Sequence, residues 1–272
     1  MAATMTPQSP DTAQRLPLTR GRRTALAIGV PLCLLLVAAT GLNLVALFGE
    51  GSFPVRYTAP AATRSLTVDV AGGRLALIGT ETAADPATVT GTGRYSIIRS
   101  TLSEQTGQGG AGFRYQCHFA LGDCELDATV RAPAALPVSA STGGGDATIF
   151  GTAGRVSVST GGGDLSARAV SGPLSLTTGG GNISAVNVRS ATVSAITGGG
   201  DVEIVLTGVP QDVQVDTGGG NITLVLPRGQ TQYRVTAATG GGTVSDSLPL
   251  NSASPHKITA SSGGGNITIR EQ

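Results

Sequence analysis

Thr160-Gly-Gly-Gly-Asp164 is the stretch that decides the fold, because the chain says it seven times. The other copies are Thr142 to Asp146, Thr178 to Asn182, Thr197 to Asp201 and Thr217 to Asn221, followed by the variants Thr239 to Thr243 and Ser262 to Asn266. Measured between the first glycines (Gly143, Gly161, Gly179, Gly198, Gly218, Gly240, Gly263), the steps are 18, 18, 19, 20, 22 and 23 residues. A period near 20 marks a stacked array, in which no unit can bury its own apolar face and its neighbours supply the cover.

Between the triplets the sequence alternates, as in Val156-Ser-Val158, Leu174-Ser-Leu176, Val213-Gln-Val215, Ile222-Thr-Leu224 and Ile267-Thr-Ile269. One strand face is apolar and the other is largely hydroxylated. A unit of this length divides into two strands of about five or six residues and two turns of about three or four. The triplet is one turn. The other falls at 151–154, 171–173, 188–190, 208–211 and 227–230. Parallel stacking of such rungs would set Thr142, Thr160, Thr178, Thr197 and Thr217 in one column, at about 4.8 Å per step. Asp146, Asp164, Asn182, Asp201 and Asn221 would form a second column. The glycines at this corner are expected to supply positive φ and close backbone approach. Neighbouring carboxylates at ~4.8 Å would repel by roughly 1 kcal/mol in water, and Asn182, Asn221, Thr243 and Asn266 interrupt the run.

A left-handed helix of three short strands would need a turn signal every six residues or so, whereas the strong break here comes once per period. Antiparallel hairpins would use the same strands, but three glycines are not the usual two-residue hairpin turn. The expected fold is all-β, a single-chain parallel β-solenoid, or β-helix-like stack of two-strand rungs, preceded by one transmembrane helix. Right-handed coiling follows from the crossover rule.

Composition agrees. Charged residues make up 13% and aromatics 3%, Trp is absent and Gly numbers 41, without a Gly-X-Y period. This excludes collagen, and the alternation excludes simple disorder. The formal charge of +1 hides an asymmetry: +3 over the first 23 residues and −2 from Glu50 onward. A domain so weakly charged and poor in aromatics is expected to lack both the phosphate-binding stripe and the stacking platform of nucleic-acid binders.

Residues 1–23 read as a short cytoplasmic tail. Thr24 to Phe48 carries no charge, about 25 residues where roughly 20 cross a bilayer. Arg20, Arg22 and Arg23 precede it, so the positive-inside rule places the N-terminus in the cytoplasm and the remainder outside the cell membrane. A cleavable signal peptide competes, with Val37-Ala38-Ala39 as its cleavage site, but the apolar run continues through Leu47 and favours an uncleaved single-pass anchor. Cys33 reads as a small apolar membrane residue.

Residues 49–135 form the expected N-terminal β cap and 136–272 the glycine-rich solenoid. Within the cap, Leu66 to Val70, Ala71-Gly-Gly73 and Leu75 to Ile78 give a weaker copy of the strand, turn, strand unit. A loop is expected at Ser103 to Gly112. Cys117 and Cys124 bracket a polar turn between the strand-like Phe113 to Tyr115 and Leu126 to Val130. In an oxidising compartment they are expected to close a disulfide hairpin, since a metal site would need more ligands than His118 supplies.

The Cys117 to Cys124 hairpin, the following Leu126-Asp-Ala-Thr-Val-Arg-Ala-Pro133, the repeated Ser/Thr-x-Gly-Gly turns and the late Leu226-Pro227 with Tyr233-Arg-Val235 resemble the bacterial putative-adhesin family over roughly residues 60–272. That family is a β-strand repeat-containing domain of unknown function. The high Ala, Gly, Thr and Arg content resembles its actinobacterial members. The resemblance implies a membrane-attached, extracytoplasmic β-repeat domain with adhesion or envelope-related roles, and it carries no catalytic residues.

The residues themselves give little for catalysis. His118 and His256 are the only histidines, and no Gly-x-Ser-x-Gly phrase accompanies either. Asp201, Glu203, Asp212 and Asp216 cluster in sequence but read as solvated strand faces. Gly-Gly-Gly-Asp is similar to calcium-binding repeats, with Asp146, Asp164 and Asp201 as weak ligand candidates, yet the half-period is missing and Asn or Thr removes carboxylates from other rungs. Asn182, Asn221 and Asn266 head Asn-Ile-Ser/Thr glycosylation phrases, but these match by construction of the turn. The expected function is a non-catalytic surface or adhesin-like binding module without cofactor or nucleic acid, whose partner is an unknown protein or cell-envelope polymer. An extracytoplasmic component of an envelope-stress or regulatory system is the alternative, and a calcium-stabilised repeat domain a further one.

Overall fold

The computed structural model describes residues 30–32, 35–37, 51–95, 101–107, 109–116 and 124–272. Of the apolar segment at 24–48 the two short pieces 30–32 and 35–37 are helical and exposed, and the rest lies outside the described residues, as does the tail. Among the described residues no helix is long and apolar enough to cross a membrane. Gly49–Gln272 is a unit separate from Met1–Phe48, with a core made of its own residues.

That unit contains β1 (Gly51–Thr58), β2 (Ser65–Val70), β3 (Leu75–Thr80), β4 (Thr88–Tyr95), β5 (Thr101–Gly107), β6 (Gly110–Gln116) and β7 (Cys124–Pro133). The repeat region adds β8 (Val138–Thr142), β9 (Ala147–Phe150), β10 (Val156–Thr160), β11 (Leu165–Arg168), β12 (Leu174–Thr178), β13 (Ile183–Val188) and β14 (Thr192–Thr197). It continues with β15 (Val202–Leu206), β16 (Asp212–Thr217), β17 (Ile222–Leu226), β18 (Arg234–Thr239), β19 (Val244–Asp246), β20 (Lys257–Ser262) and β21 (Ile267–Glu271). They form two sheets. One runs β1-β4-β7-β3-β9-β11-β13-β15-β17-β21-β19, the other β18-β20-β16-β14-β12-β10-β8-β2-β6-β5. The two strands of each rung lie one in each sheet, and every pair from β3/β9 and β2/β8 onward is parallel. The choice of parallel rungs over hairpins therefore holds.

Alternation builds the core. Leu77, Ile149, Ala167, Ala185, Ile204, Leu224 and Ile269 pair in register from rung to rung, and all are buried. Fully burying an aliphatic side chain of Val or Leu size contributes about 1.5–3 kcal/mol. A one-residue slip would turn the whole column outward, so the register is strongly specified.

The rungs do not stack in chain order at either end. β20 sits between β16 and β18, and β21 between β17 and β19, so the last rung in sequence is next to last in space. β2 and β3 likewise lie between β6/β7 and β8/β9. Gln272 is held where the chain comes back, its backbone N–H donating to Leu226 O at 2.9 Å and its Nε2 to Leu206 O at 3.0 Å.

Two readings of the cap are corrected. The strands flanking the cysteines do not pair with each other: β6 belongs to one sheet and β7 to the other, so they are not the two arms of a hairpin, and residues 117–123 lie outside the described residues. The expected loop at Ser103 to Gly112 is instead the hairpin β5/β6, with Gly109 at φ 81° in its turn. The cap also carries antiparallel strands, β1 and β4 beyond β7 in one sheet and β5 in the other, which finish that end of the stack. The other end stops differently. Asp246 occupies the position that pairs with buried Ile269, and its Oδ1 accepts the Leu248 N–H at 2.9 Å. An inward carboxylate on an edge strand opposes the addition of another rung.

Candidate functional site

At the glycine edge the repeated phrase closes on itself. Thr160, Thr178, Thr197 and Thr217 are buried, and each Oγ1 donates to the third-glycine carbonyl of the preceding rung: Gly145, Gly163, Gly181 and Gly200, at 2.7–2.8 Å. Each also accepts the N–H of its own third glycine, Gly163, Gly181, Gly200 and Gly220, at 3.1–3.2 Å. Ser262 does the same work, donating to Gly220 O at 2.8 Å and accepting from Gly265 at 2.9 Å. Only a hydroxyl both donates and accepts from so small a side chain, so no buried backbone group at the turn is left unsatisfied by it.

The Asp/Asn column is a second ladder. Asp146 Oδ1 accepts the Asp164 N–H at 2.9 Å, Asp164 Oδ1 that of Asn182 at 2.7 Å, and Asn182 Oδ1 that of Asp201 at 2.9 Å. Asp201 then takes Asn221 at 2.6 Å, Asn221 takes Asn266 at 2.9 Å, and Asn266 takes Thr243 at 2.9 Å. What the column requires is a side-chain carbonyl oxygen at the right reach, which Asp and Asn share. Thr243 departs from the pattern because it lies on the last rung in space, with no further N–H to accept.

Glycine serves here for space. A Cβ on Gly161 would fall on the carbonyl oxygen of Gly143, and one on Gly163 on that of Gly145, whereas one on Gly162 would meet nothing within 4 Å. The same alternation recurs at Gly179 to Gly181 and Gly198 to Gly200. The expectation of positive φ is corrected, since among the described glycines only Gly73, Gly109 and Gly151 adopt it.

Asp146, Asp164 and Asp201, the calcium candidates, are thus each engaged by a backbone donor of the next rung. No group of three or more metal-ligating side chains occurs among the described residues. Cys124 is disulfide-bonded, and Cys117 and His118 lie outside the described residues. Asp201, Glu203, Asp212 and Asp216 are not brought together: Asp201 is at the glycine corner, Glu203 on one sheet face, Asp212 at the start of β16, and Asp216 on the other sheet, taking a hydrogen bond from Gln214 Nε2 at 3.0 Å. His256 Nδ1 donates to Pro210 O at 2.7 Å, with its ring edge-on to Tyr233. Burial, and after it the Glu271 carboxylate, raises the Tyr233 pKa, against a smaller opposing hydrogen bond from Thr231. Burial, then Glu104, raises that of Tyr57. Asp69 is held by Arg114 at 3.1 Å and by Ser141 Oγ, which donates to it at 2.7 Å, a link across β6, β2 and β8.

What remains free is the outward surface of the strands. On the sheet containing β8, Thr67, Ser139, Ser157, Ser175 and Ser194 pair in register as one hydroxyl row. Ser141, Ser159 and Thr177 form a parallel row two residues along. Facing them across the width of the molecule, the edge opposite the glycines collects arginines.

The architecture defines a class: a two-sheet parallel β-solenoid whose rungs are tied by hydroxyl and carboxyl or amide ladders at one corner. The family model described as Toastrack DUF4097 matches residues 115–270. The chain belongs to the Toastrack DUF4097 family. Among solved structures it is similar to a putative adhesin from Bacteroides fragilis, with 12% identity, a TM-score of 0.53, and coverage of 82% of this chain and 97% of the other. It is also matched to a putative cell adhesion protein from Clostridium sporogenes, with 11% identity, a TM-score of 0.38, and coverage of 82% and 100%. At these identities the likeness speaks to fold alone. No curated protein matches the chain.

Proposed function

We propose that this protein is a non-catalytic surface-binding module, adhesin-like in role, held at the outer side of the cell membrane by the apolar segment at 24–48. The observation that carries the reading is the pair of in-register hydroxyl rows on the β8 sheet. They offer a repeating hydrogen-bonding surface of about 4.8 Å per rung to an extended partner. The Toastrack family and the fold shared with the Bacteroides fragilis putative adhesin support a binding role, and the engagement of the glycine-edge side chains in ladders leaves the strand faces and the opposite edge as the surfaces for it. Cys117 is the proposed partner of Cys124, closing the corner at the capped end.

The test is capture from cell-envelope material on the immobilised protein, repeated with Ser157→Lys/Ser175→Lys. A polymer or protein enriched by the native chain and lost with the variant is expected. Equal recovery on both, or none on either, contradicts the reading.

A further inference from the structure

Charge along the repeat region is sorted by edge. From residue 131 to the end the chain has eight basic residues, and all eight fall at or beside the turns opposite the glycines. Arg131 and Arg168 lie in one outward row of the β9 sheet, linked through Ile78 and Phe150. Arg155, Lys257 and Arg234 stand at the starts of β10, β20 and β18, and Arg189 in the turn before β14. All six are exposed. The remaining two touch the C-terminal residues: Arg228 Nε donates to the Gln272 carbonyl, and Arg270 Nη1 to the Glu271 carbonyl at 3.4 Å.

Acidic residues divide the other way. Asp146, Asp164, Asp201, Glu203 and Asp216 lie towards the glycine edge; Asp212 and the half-buried Glu271 are the acids within the strip, outnumbered there by the basic residues, and Asp246 is turned inward. Among the described residues the one ion pair is Arg114–Asp69, so none of the six exposed cations is held in an ion pair, although Lys257 has Asp212 beside it in register on the next strand. These five guanidinium groups and one ammonium group, spread along the stack with some rungs between them bare, form no ion pair within it. They raise the local concentration of an anion, and guanidinium binds phosphate or carboxylate oxygens bidentately.

We infer that the edge opposite the glycines is a docking strip for an extended polyanion bearing phosphodiester groups, lying along the stack axis. The inference rests on the binding-module reading and names its partner class. A second copy is the weaker occupant: the acids it would present at its glycine edge, Asp146, Asp164 and Asp201, are already committed to backbone donors. A lipid surface is also the weaker fit. Gly51 pairs with Tyr95 and Tyr95 with Cys124, so the chain enters the unit at the glycine edge. The strip lies about one strand length away, roughly 26 Å for a strand like β1.

The experiment is binding of long-chain inorganic polyphosphate to the full chain in neutral detergent, over a series of salt concentrations. Arg155→Gln/Arg168→Gln is compared with Arg74→Gln/Arg94→Gln, which removes as much charge near the glycine edge. Binding that weakens with salt is expected, with the strip variant tenfold or more weaker at low salt. Its salt slope should be reduced by roughly 0.7 per cation removed, and the control should stay near native. Absence of polyphosphate binding, or equal loss in both variants, overturns the inference. So does retention on phosphatidylglycerol vesicles without polyphosphate binding, which assigns the strip to a lipid surface, or salt-sensitive self-association without polymer, which assigns it to a second copy. An uncharged ligand captured from envelope material would overturn the strip while leaving the binding module standing.

Discussion

The two long edges of this solenoid obey different rules. At the glycine edge nearly the same five residues return from rung to rung, and the Thr or Ser hydroxyls and the Asp or Asn side-chain oxygens tie neighbouring rungs together. At the opposite edge the turns vary in length and wording, and exposed basic residues stand there without an ion pair among the described residues. The comparison teaches that the loudest motif in the chain is architecture. Partner chemistry is to be sought where no motif repeats.

The sharpest way to break the comparison is to crowd the glycine edge. Gly161→Ala and Gly163→Ala each force a methyl group onto a carbonyl of the rung below and should cost about 3 kcal/mol or more, while Gly162→Ala should stay within about 0.5 kcal/mol. Urea unfolding of the three variants measures it, and equal losses would remove the steric account of the triplet. Next in size is Thr178→Val, which strands the Gly163 carbonyl and the Gly181 N–H and should cost about 1–3 kcal/mol; Thr178→Ser should recover most of that, since Ser262 already serves on its own rung. Asp164→Ala should lose about 1 kcal/mol by removing the acceptor for Asn182, and Asp164→Asn should lose little. A melt in which Asn behaves like Ala would show that charge, not the carbonyl oxygen, matters in the column. The smallest effect belongs to the other edge: Arg155→Gln/Arg168→Gln should leave the melting curve unchanged, within about 0.5 kcal/mol.

Much of this fold was legible in the sequence because a parallel stack copies its register into the chain. The period gave the rungs, and alternation gave the inward face. Setting the Thr and Asp/Asn residues in columns anticipated their alignment, though not the hydrogen bonds that run along each column in place of the expected carboxylate repulsion. The order of the end rungs was hidden for the same reason, since Arg234 to Thr239 and Lys257 to Ser262 carry the same pattern and either could follow β16. Two departures did mark the terminal rung. Thr243 replaces the column's Asp or Asn, and Asp246 stands where other rungs have an aliphatic residue. That β6 and β7 part to different sheets was not legible at the cysteines, because sheet membership is not written locally. The basic strip was missed because its members are scattered over more than a hundred residues and average to near neutrality. Only stacking brings them into line.

The central claim is that the Asp/Asn side chains and the Thr hydroxyls, not the sheets alone, hold each glycine corner to the next. Hydrogen exchange of the individual corner amides tests it most directly. The amides of Gly161, Gly163, Asp164, Gly179, Gly181 and Asn182 each have an acceptor from the ladders or the strand before them. They should exchange slowly although these turns are exposed, while Gly162 and Gly180 exchange at the rate of open loops. Uniformly fast exchange across the corner would contradict the account.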